Sequence, residues 1–396
     1  MRLTEIREIA VPLTGDIANA VVNFSAHTIS LVAVTSDVIR DGRPVTGLAF
    51  NSIGRYAQGG LMRERFIPRL LAAAPETLLD ADGRCFDPAA VFRIAMRNEK
   101  PGGHGDRAAA VAAIELAIWD LNARLRDEPA CVTIARATGR PRPTEPLPVY
   151  AAGGYYYPGD SIARLAAEIA GYRDAGFRDF KIKIGGAPLD EDLRRIEAIL
   201  PLAGGGQHLA VDVNGRFDLE QALTYGKAIA PLGLRWYEEV GDPLDYGLNA
   251  ALAREYAGAI ATGENLFSSQ DVLNLVRFGG MRPGLDIFQM EAGLSYGLTD
   301  YLKTVALLES HGFSRQQVLP HGGHLINLHI ATALGLGGCE VYPGVFQPFG
   351  GYPDACMRPG GRAFPTDAAG FGLEQKAELR PWIERLGVQL PHGVAA

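Results

Sequence analysis

The chain has 396 residues, of which 47% are hydrophobic and 21% charged, and its formal net charge is −7. This hydrophobic fraction is too high for a disordered chain, and the mildly acidic balance gives no support for nucleic-acid binding. Glycine occurs 48 times, which predicts many tight turns, helix ends or close backbone approaches.

The first third of the chain has the patterns of a mixed α+β domain. Its predicted elements are, in chain order, strands at 2–12 and 28–38 and helices at 61–75, 88–98 and 106–127. The last of these helices is Ala-rich and opens with Asp106 as its candidate N-cap. The Pro-rich stretch GRPRPTEPLP follows, so we place the boundary of this domain at residues 1–145.

From Val149 onward, short apolar runs alternate with helical stretches. Seven helix candidates, such as 161–175, 191–200, 218–230 and 294–310, separate eight strand candidates. Such alternation implies parallel strands joined by crossovers, and eight strands suggest an α/β barrel of the TIM type, (β/α)7β, over residues 146–360. The strand candidates are LPVYAAGG, DFKIKIGG, LAVDVNG, LRWYEEVG, AIATGEN, DIFQMEAG, QVLPHGG and GCEVYPG.

An open, doubly wound sheet is the alternative fold. It would need a G-x-G-x-x-G turn between a strand and a helix, with an acidic residue about 20 positions later. The sequence has no such match, and the GGG run at 204–206 lies between a helix and the next strand, which is the wrong end. The barrel is therefore favoured.

The N-terminus and the cysteines indicate the cellular compartment to expect. The opening sequence MRLTEIREIAVPL lacks the apolar core of a secretory signal, and no apolar stretch is long enough for a transmembrane helix. We expect a cytoplasmic homo-oligomer without membrane or nucleic-acid partners. Four widely spaced cysteines form no CxxC pair, which argues against zinc and disulfides: Cys85, Cys131, Cys339 and Cys356.

Six successive barrel strands end in an ionisable side chain. The intervals between these residues are 26 to 30 positions, the length of one βα unit. Catalytic groups of TIM barrels lie at the C-terminal ends of the strands, and charges in apolar strands are costly unless they are paired or metal-bound. We therefore expect one site that contains Lys183, Asp212, Glu238, Glu264, Glu291 and His321.

The residue types at this rim indicate its chemistry. Three carboxylates from consecutive strands, without Cys or His, suit a hard cation such as Mg²⁺. Lys181 and Lys183 lie two apart on one strand, so both face the interior, where a lysine can act as a base. Glu291 could orient His321 as in a His–carboxylate dyad, whereas His324 and His329 are expected to be structural.

The order K-x-K, D-x-N, E-E, G-E-N, acid and P-H-G over successive strands resembles the enolase superfamily, mandelate racemase branch. The resemblance covers essentially the whole chain. It implies that residues 1–145 form a capping domain and that a C-terminal segment, 361–396, packs back on it. Longer stretches are similar to the D-tartrate dehydratase subgroup: FNSIGRYAQGGLMRERF, NEKPGGHGDR, YAAGGYYYPG, KIKIGGAP, WYEEVGDPLDY, ATGENLFSSQD and VFQPFGGYPD.

The resemblance implies roles at the matching positions. Lys183 would remove the proton α to a carboxylate, and Lys181 beside it would help to lower its pKa. His321 would protonate the departing hydroxyl, with Glu291 behind it, and Asn214 would touch substrate or a ligand water. The three carboxylates would hold Mg²⁺: Asp212, Glu238 and Glu264.

The sequence departs from the family at the dyad. Glu291 stands where aspartate is usual, so its extra methylene must displace His321 or be accommodated by the backbone. Specificity is expected from loops that close over the barrel mouth, where Lys100 or Arg55 would bind a second substrate carboxylate. The candidate substrate-binding residues in and near these loops are Asn51, Arg55, Lys100, His104 and Tyr156.

The implied activity is a Mg²⁺-dependent hydro-lyase that dehydrates a small hydroxy-diacid, with D-tartrate to oxaloacetate as the first candidate. Another acid-sugar dehydratase, or a racemase that uses Lys183 and His321 as two bases, is the alternative within the superfamily. A non-catalytic binding protein is disfavoured because binding alone needs neither side chain.

Overall fold

The computed structural model describes residues 1–15, 17–157 and 161–390. Its N-terminal domain, the cap, contains an antiparallel sheet of three strands in the order β1 (Leu3–Pro12), β2 (Thr28–Arg40) and β3 (Arg43–Phe50). The third strand is absent from the sequence-based prediction. Asp41 and Gly42 both have positive φ, 50° and 75°, as the tight turns of β-hairpins require, so the Asp-Gly pair was the overlooked indication of this hairpin.

The cap helices cover one face of this sheet. The predicted helix at 61–75 is observed as α1 (Gly59–Leu61), a π-helical segment (Met62–Phe66) and α2 (Ile67–Leu71). The Ala-rich helix α4 (Asp106–Arg126) is buried from residue 108 to residue 123 and packs directly against β3. The contact is so close that a Cβ on Gly47 would lie 2.1 Å from the Ala117 carbonyl oxygen. The remaining cap helices are α3 (Pro88–Ala95), α4 (Asp106–Arg126) and α5 (Ala130–Ala137).

The second domain is the predicted TIM-type barrel. Six parallel strands run in chain order from β4 to β9, and β10 pairs with β4 to close the circle. Between β9 and β10 the seventh strand is reduced to a bridge between Phe288 and Val318, with a hydrogen bond from Glu340 N to Pro320 O on its other side. The strands are β4 (Leu147–Ala152), β5 (Asp179–Lys183), β6 (Leu209–Asp212), β7 (Tyr237–Glu238), β8 (Ile260–Thr262), β9 (Ile287–Phe288) and β10 (Cys339–Val341).

Within the described residues, seven helices follow the first seven barrel strands, as the alternating pattern predicts. The predicted helix at 191–200 extends over 189–203, and the one predicted at 294–310 begins only at Leu298 because the strand-to-helix loop is longer. The helices are α6 (Ser161–Asp174), α7 (Leu189–Ala203), α8 (Leu219–Ile229), α9 (Tyr246–Glu255), α10 (Ser269–Phe278), α11 (Leu298–Ser310) and α12 (Leu325–Leu334).

The described part of the C-terminal segment contacts both domains. The hairpin of β11 (Met357–Arg358) and β12 (Arg362–Ala363) adds to the start of β4. Further on, Glu374 forms an ion pair with Arg124 of α4, at 2.7 Å, and helix α13 (Arg380–Arg385) follows. Among the described residues, no helix combines the length and hydropathy that a membrane crossing requires.

Candidate active site

The register of the parallel strands brings the predicted residues together. Lys183 of β5 lies opposite Asp212 of β6, and Asp212 lies opposite Glu238 of β7. Lys181 and Lys183 both point inward and are buried, whereas Ile182 between them is buried on the opposite face. The C-terminal rim of the barrel therefore carries the acids and bases that the spacing predicts.

Three carboxylates form the centre of the site. One oxygen each from Asp212, Glu238 and Glu264 lies within 4.8 Å of the other two. Burial and the negative charge of Asp212 raise the pKa of Glu238 to about 8. Carboxylates this close repel one another unless positive charge lies between them, so this all-oxygen donor set fits a hard divalent cation.

Both lysines of β5 contact these acids. Lys183 Nζ lies 2.5 Å from Asp212 Oδ2, and Lys181 Nζ lies 2.5 Å from Glu238 Oε1. Burial lowers the pKa of Lys181, but the negative charges of Glu238 and Glu340 outweigh it and hold this pKa well above its ordinary value. Lys181 is therefore a stable positive charge beside Lys183.

Glu340 is a site residue that the sequence analysis missed. Its Oε1 lies 2.7 Å from Lys181 Nζ, and its Oε2 accepts the Gly322 N–H at 2.9 Å. Glu340 is fully buried on β10. It follows His321 by fewer residues than one regular βα unit, so the constant interval did not point to it, although GCEVYPG was among the predicted strands.

His321 forms the predicted pair with Glu291. Its Nδ1 donates to Glu291 Oε1 at 2.9 Å, so the dyad forms with the longer side chain in place. On the other side of the ring, Nε2 lies 3.3 Å from Glu264 Oε2 and 2.9 Å from the Tyr342 hydroxyl. Burial lowers the pKa of His321, but Glu264, Glu340 and Glu291 together raise it to about 10. His321 is therefore an imidazolium at neutral pH.

Two of the predicted substrate-binding residues adjoin the three carboxylates. The Asn214 backbone N–H donates to Asp212 Oδ1 at 2.9 Å, and its side chain lies against the same carboxylate. Arg55 of the cap donates to Asn265 Oδ1 at 2.6 Å, and Asn265 in turn donates to Glu264. The cap thus contributes a cation directly beside the rim.

The other four predicted substrate-binding residues lie farther from the carboxylates. The Asn51 amide bonds within the cap, to Ser30 N and Gln58 Oε1, and the Tyr156 hydroxyl bonds to Asp192 and Gly186 N. His104 Nδ1 lies 3.0 Å from the Tyr296 hydroxyl, at the boundary between cap and barrel, and Lys100 is exposed. No hydrogen bond among the described residues joins these four side chains to the three carboxylates, and their contact with substrate stays a prediction.

His324 has the structural contacts expected of it and one more at the site. It caps helix α12, but its Nε2 also lies 3.2 Å from Glu291 Oε2. His329 accepts the Cys131 N–H, and burial lowers its pKa to about 3, which agrees with the structural role predicted for it.

Comparison with known proteins identifies the family of the chain. Residues 164–379 match the family described as enolase C-terminal domain-like. The chain belongs to this family. The arabinonate dehydratase of Saccharolobus solfataricus is 29% identical over 59% of this chain and 60% of the relative. The L-talarate/galactarate dehydratase of Salmonella typhimurium is 26% identical over 72% and 67%. The chain thus spans about three fifths of the length of the arabinonate dehydratase.

Solved structures share the whole fold. The L-talarate dehydratase of Polaromonas sp. JS666, solved with Mg and L-glucarate, superposes with a TM-score of 0.71 over 94% of each chain, at 22% identity. The likeness extends over the cap as well as the barrel, so the chain has the two-domain fold of the enolase/mandelate racemase superfamily.

Proposed function

We propose that the protein is a Mg²⁺-dependent dehydratase of an acid sugar or small hydroxy-diacid, with D-tartrate as the first candidate. One observation carries the proposal. Lys183 and the imidazolium of His321 contact different carboxylates of the same cluster. Lys183 contacts Asp212, and His321 contacts Glu264. A substrate carboxylate bound at this cluster would have a base and an acid within reach.

Asp212, Glu238 and Glu264 would hold the cation. When bound, Mg²⁺ would neutralise the negative charge that develops on the substrate carboxylate after proton removal. The close approach of three buried or partly buried carboxylate oxygens, within 4.8 Å of one another, supports this assignment. The dehydratase relatives and the Mg-containing neighbour support it independently.

Lys183 would start the reaction. Its Nζ, as the neutral amine, takes the proton from the carbon α to the substrate carboxylate. Lys181 is the poorer base because Glu238 and Glu340 both stabilise its ammonium form, whereas Lys183 is paired with Asp212. Its fixed charge next to Lys183 instead stabilises the negative charge on the substrate.

His321 would complete the reaction. As the carbon–oxygen bond to the β-hydroxyl breaks, the electron pair from the α carbon forms the double bond, and the Nε2 proton goes to the departing oxygen to give water. The enol product then becomes a 2-keto acid, which is oxaloacetate if the substrate is tartrate. General acid and base catalysis each contribute roughly 10²–10⁴-fold.

Arg55 supports a substrate with two carboxylates. Its guanidinium lies 4.6 Å from the Phe267 ring centroid and 2.6 Å from Asn265, so a partly buried cation stands over the rim. It would form a charge-assisted bond with the distal carboxylate. The relatives named for arabinonate and for talarate or galactarate make longer acid sugars the second candidate.

A substrate screen tests the proposal. Purified protein with Mg²⁺ is incubated with the tartrate isomers and a library of acid sugars, and keto-acid formation is measured. Release of keto acid from a tartrate isomer supports the narrow proposal, and release only from longer acids reassigns the substrate. Deuterium exchange from solvent with recovery of substrate and without keto-acid release would indicate a racemase. If no acid is dehydrated or exchanged, the proposed function is wrong.

A further inference from the structure

Glu291 is the centre of a buried junction between cap and barrel. Besides His321, three donors surround its carboxylate: Ser52 Oγ at 2.6 Å, Asn327 Nδ2 at 2.8 Å and His324 Nε2 at 3.2 Å. Asn327 and His324 belong to the barrel, but Ser52 follows strand β3 of the cap. Among the described residues, Ser52 is the one cap side chain that hydrogen-bonds this acid.

The Ser52 hydroxyl shares an oxygen with the imidazolium. Ser52 Oγ and His321 Nδ1 both donate to Glu291 Oε1, at 2.6 and 2.9 Å. The His324 Nδ1 accepts the Asn327 N–H, so its Nε2 carries the proton and lies 3.1 Å from Ser52 Oγ. Ser52 is therefore held in one orientation, as donor to Glu291.

Two glycines of the barrel loops make room for the Ser52–Glu291 pair. A Cβ on Gly322 would lie 2.8 Å from both Glu291 carboxylate oxygens and from Ser52 Oγ, and Gly322 has a φ of +106°. A Cβ on Gly293 would lie 2.9 Å from the Ser52 Cβ. Two barrel loops that flank the site thus leave space for Ser52 and for the longer glutamate side chain.

The donors fix the rotation of the Glu291 carboxylate. A carboxylate with donors on both oxygens cannot turn about its terminal bond without breaking charge-assisted hydrogen bonds. The position of Oε1 in turn sets the direction of the His321 Nδ1–H bond, and hence where Nε2 points on the opposite side of the ring. Without the Ser52 hydroxyl, Glu291 Oε1 would keep His321 Nδ1 as its hydrogen-bond donor and lose the second one.

We propose that Ser52 is a positioning residue through which the cap sets the orientation of the acid half of the site. Ser52 acts through Glu291 and touches no reacting atom. Elimination needs the proton from His321, whereas removal of the α proton needs only Lys183. The catalytic part of this inference rests on the proposed function.

The test compares Ser52→Ala with Ser36→Ala, which removes an equally buried cap hydroxyl bonded to the Val45 carbonyl of the sheet. For the acid found in the screen, Ser52→Ala should lower keto-acid formation about tenfold, as expected for one lost hydrogen bond to a charged group. Deuterium exchange at the α carbon should be unchanged. In a Glu291→Gln background the same change should have no further effect, since the two residues act together.

A measurement without substrate keeps the inference separate from the proposed function. In ¹⁵N-histidine-labelled protein, Ser52→Ala should move the His321 Nδ1 proton resonance, assigned with His321→Asn, and Ser36→Ala should not. An unmoved resonance, or equal losses of exchange and elimination, would overturn the inference. If Ser52→Ala does not fold, Ser52→Cys, with a weaker donor of similar size, takes its place. A moved resonance in a protein that dehydrates no acid would support the positioning role and refute only the proposed function.

Discussion

Shortening Glu291 to aspartate tests the structure against its family resemblance. Because aspartate is usual at this position, the sequence alone suggests that Glu291→Asp is harmless or favourable. The structure predicts the opposite. Glu291 Oε1 lies 2.9 Å from His321 Nδ1, and an aspartate carboxylate would be withdrawn by about 1.5 Å, one carbon–carbon bond. That places the oxygen beyond hydrogen-bonding distance unless the backbone moves.

The magnitude follows from the bond that is lost. A hydrogen bond to a charged group contributes about 1.5–3 kcal/mol, and each 1.36 kcal/mol is a factor of ten in rate. If His321 loses the orienting carboxylate, elimination should slow by about 10- to 150-fold. The donors Ser52 and Asn327 cannot both follow a shorter carboxylate, because they lie in different domains.

The assay is the steady-state rate of keto-acid formation by Glu291→Asp. Glu309→Asp is the matched control, since it shortens a more exposed glutamate that is paired with Arg315 on the surface of α11. The control should retain full activity. If Glu291→Asp is as active as the wild type, the contacts around Glu291 do not set the orientation of His321, and the reasoning fails.

Three further predictions use other parts of the molecule. Lys183→Ala should abolish keto-acid formation and α-proton exchange but still bind Mg²⁺ in calorimetry; surviving turnover would show that another group is the base. Gly47→Ala should lower the free energy of unfolding by about 1–3 kcal/mol in urea titrations, because its Cβ would overlap helix α4, whereas Gly60→Ala meets open space and should be neutral. Burial lowers the pKa of His329 to about 3 in the folded protein. Between about pH 6.5 and pH 3 the unfolded chain therefore binds more protons than the folded chain, so the free energy of unfolding should fall as the pH drops through this range. His329→Gln should flatten this slope; an unchanged slope would contradict the assignment.

The barrel and its rim could be predicted because they depend on local pattern and on one repeat. Parallel strands end at the same edge, so residues one βα unit apart, such as Lys183 and Asp212, become neighbours whatever the helices between them contain. The same dependence on a regular repeat explains why Glu340 was missed. The seventh strand is reduced to a single bridge and the unit that follows it is short, so the regular interval fails there.

The cap was predicted less completely. Strand β3 was missed although an Asp-Gly pair precedes it, because its alternation is interrupted by Pro44 and Gly47. The cap loops were correctly assigned to the neighbourhood of the barrel mouth, as the contact between Arg55 and Asn265 shows. The sequence could not show which cap side chains keep polar atoms available for a substrate. Asn51 is an example, because both atoms of its amide form hydrogen bonds within the cap.

The sequence by itself determined the alternation of strands and helices and the order of the acids and bases along the rim, because side-chain periodicity is local and parallel strands end at the same edge. Only the tertiary structure decided the partners of those groups. Ser52 reaches Glu291 across 239 positions of the chain, and no periodicity connects them. Such contacts depend on how the cap packs on the barrel, and that packing is determined by the fit of whole surfaces.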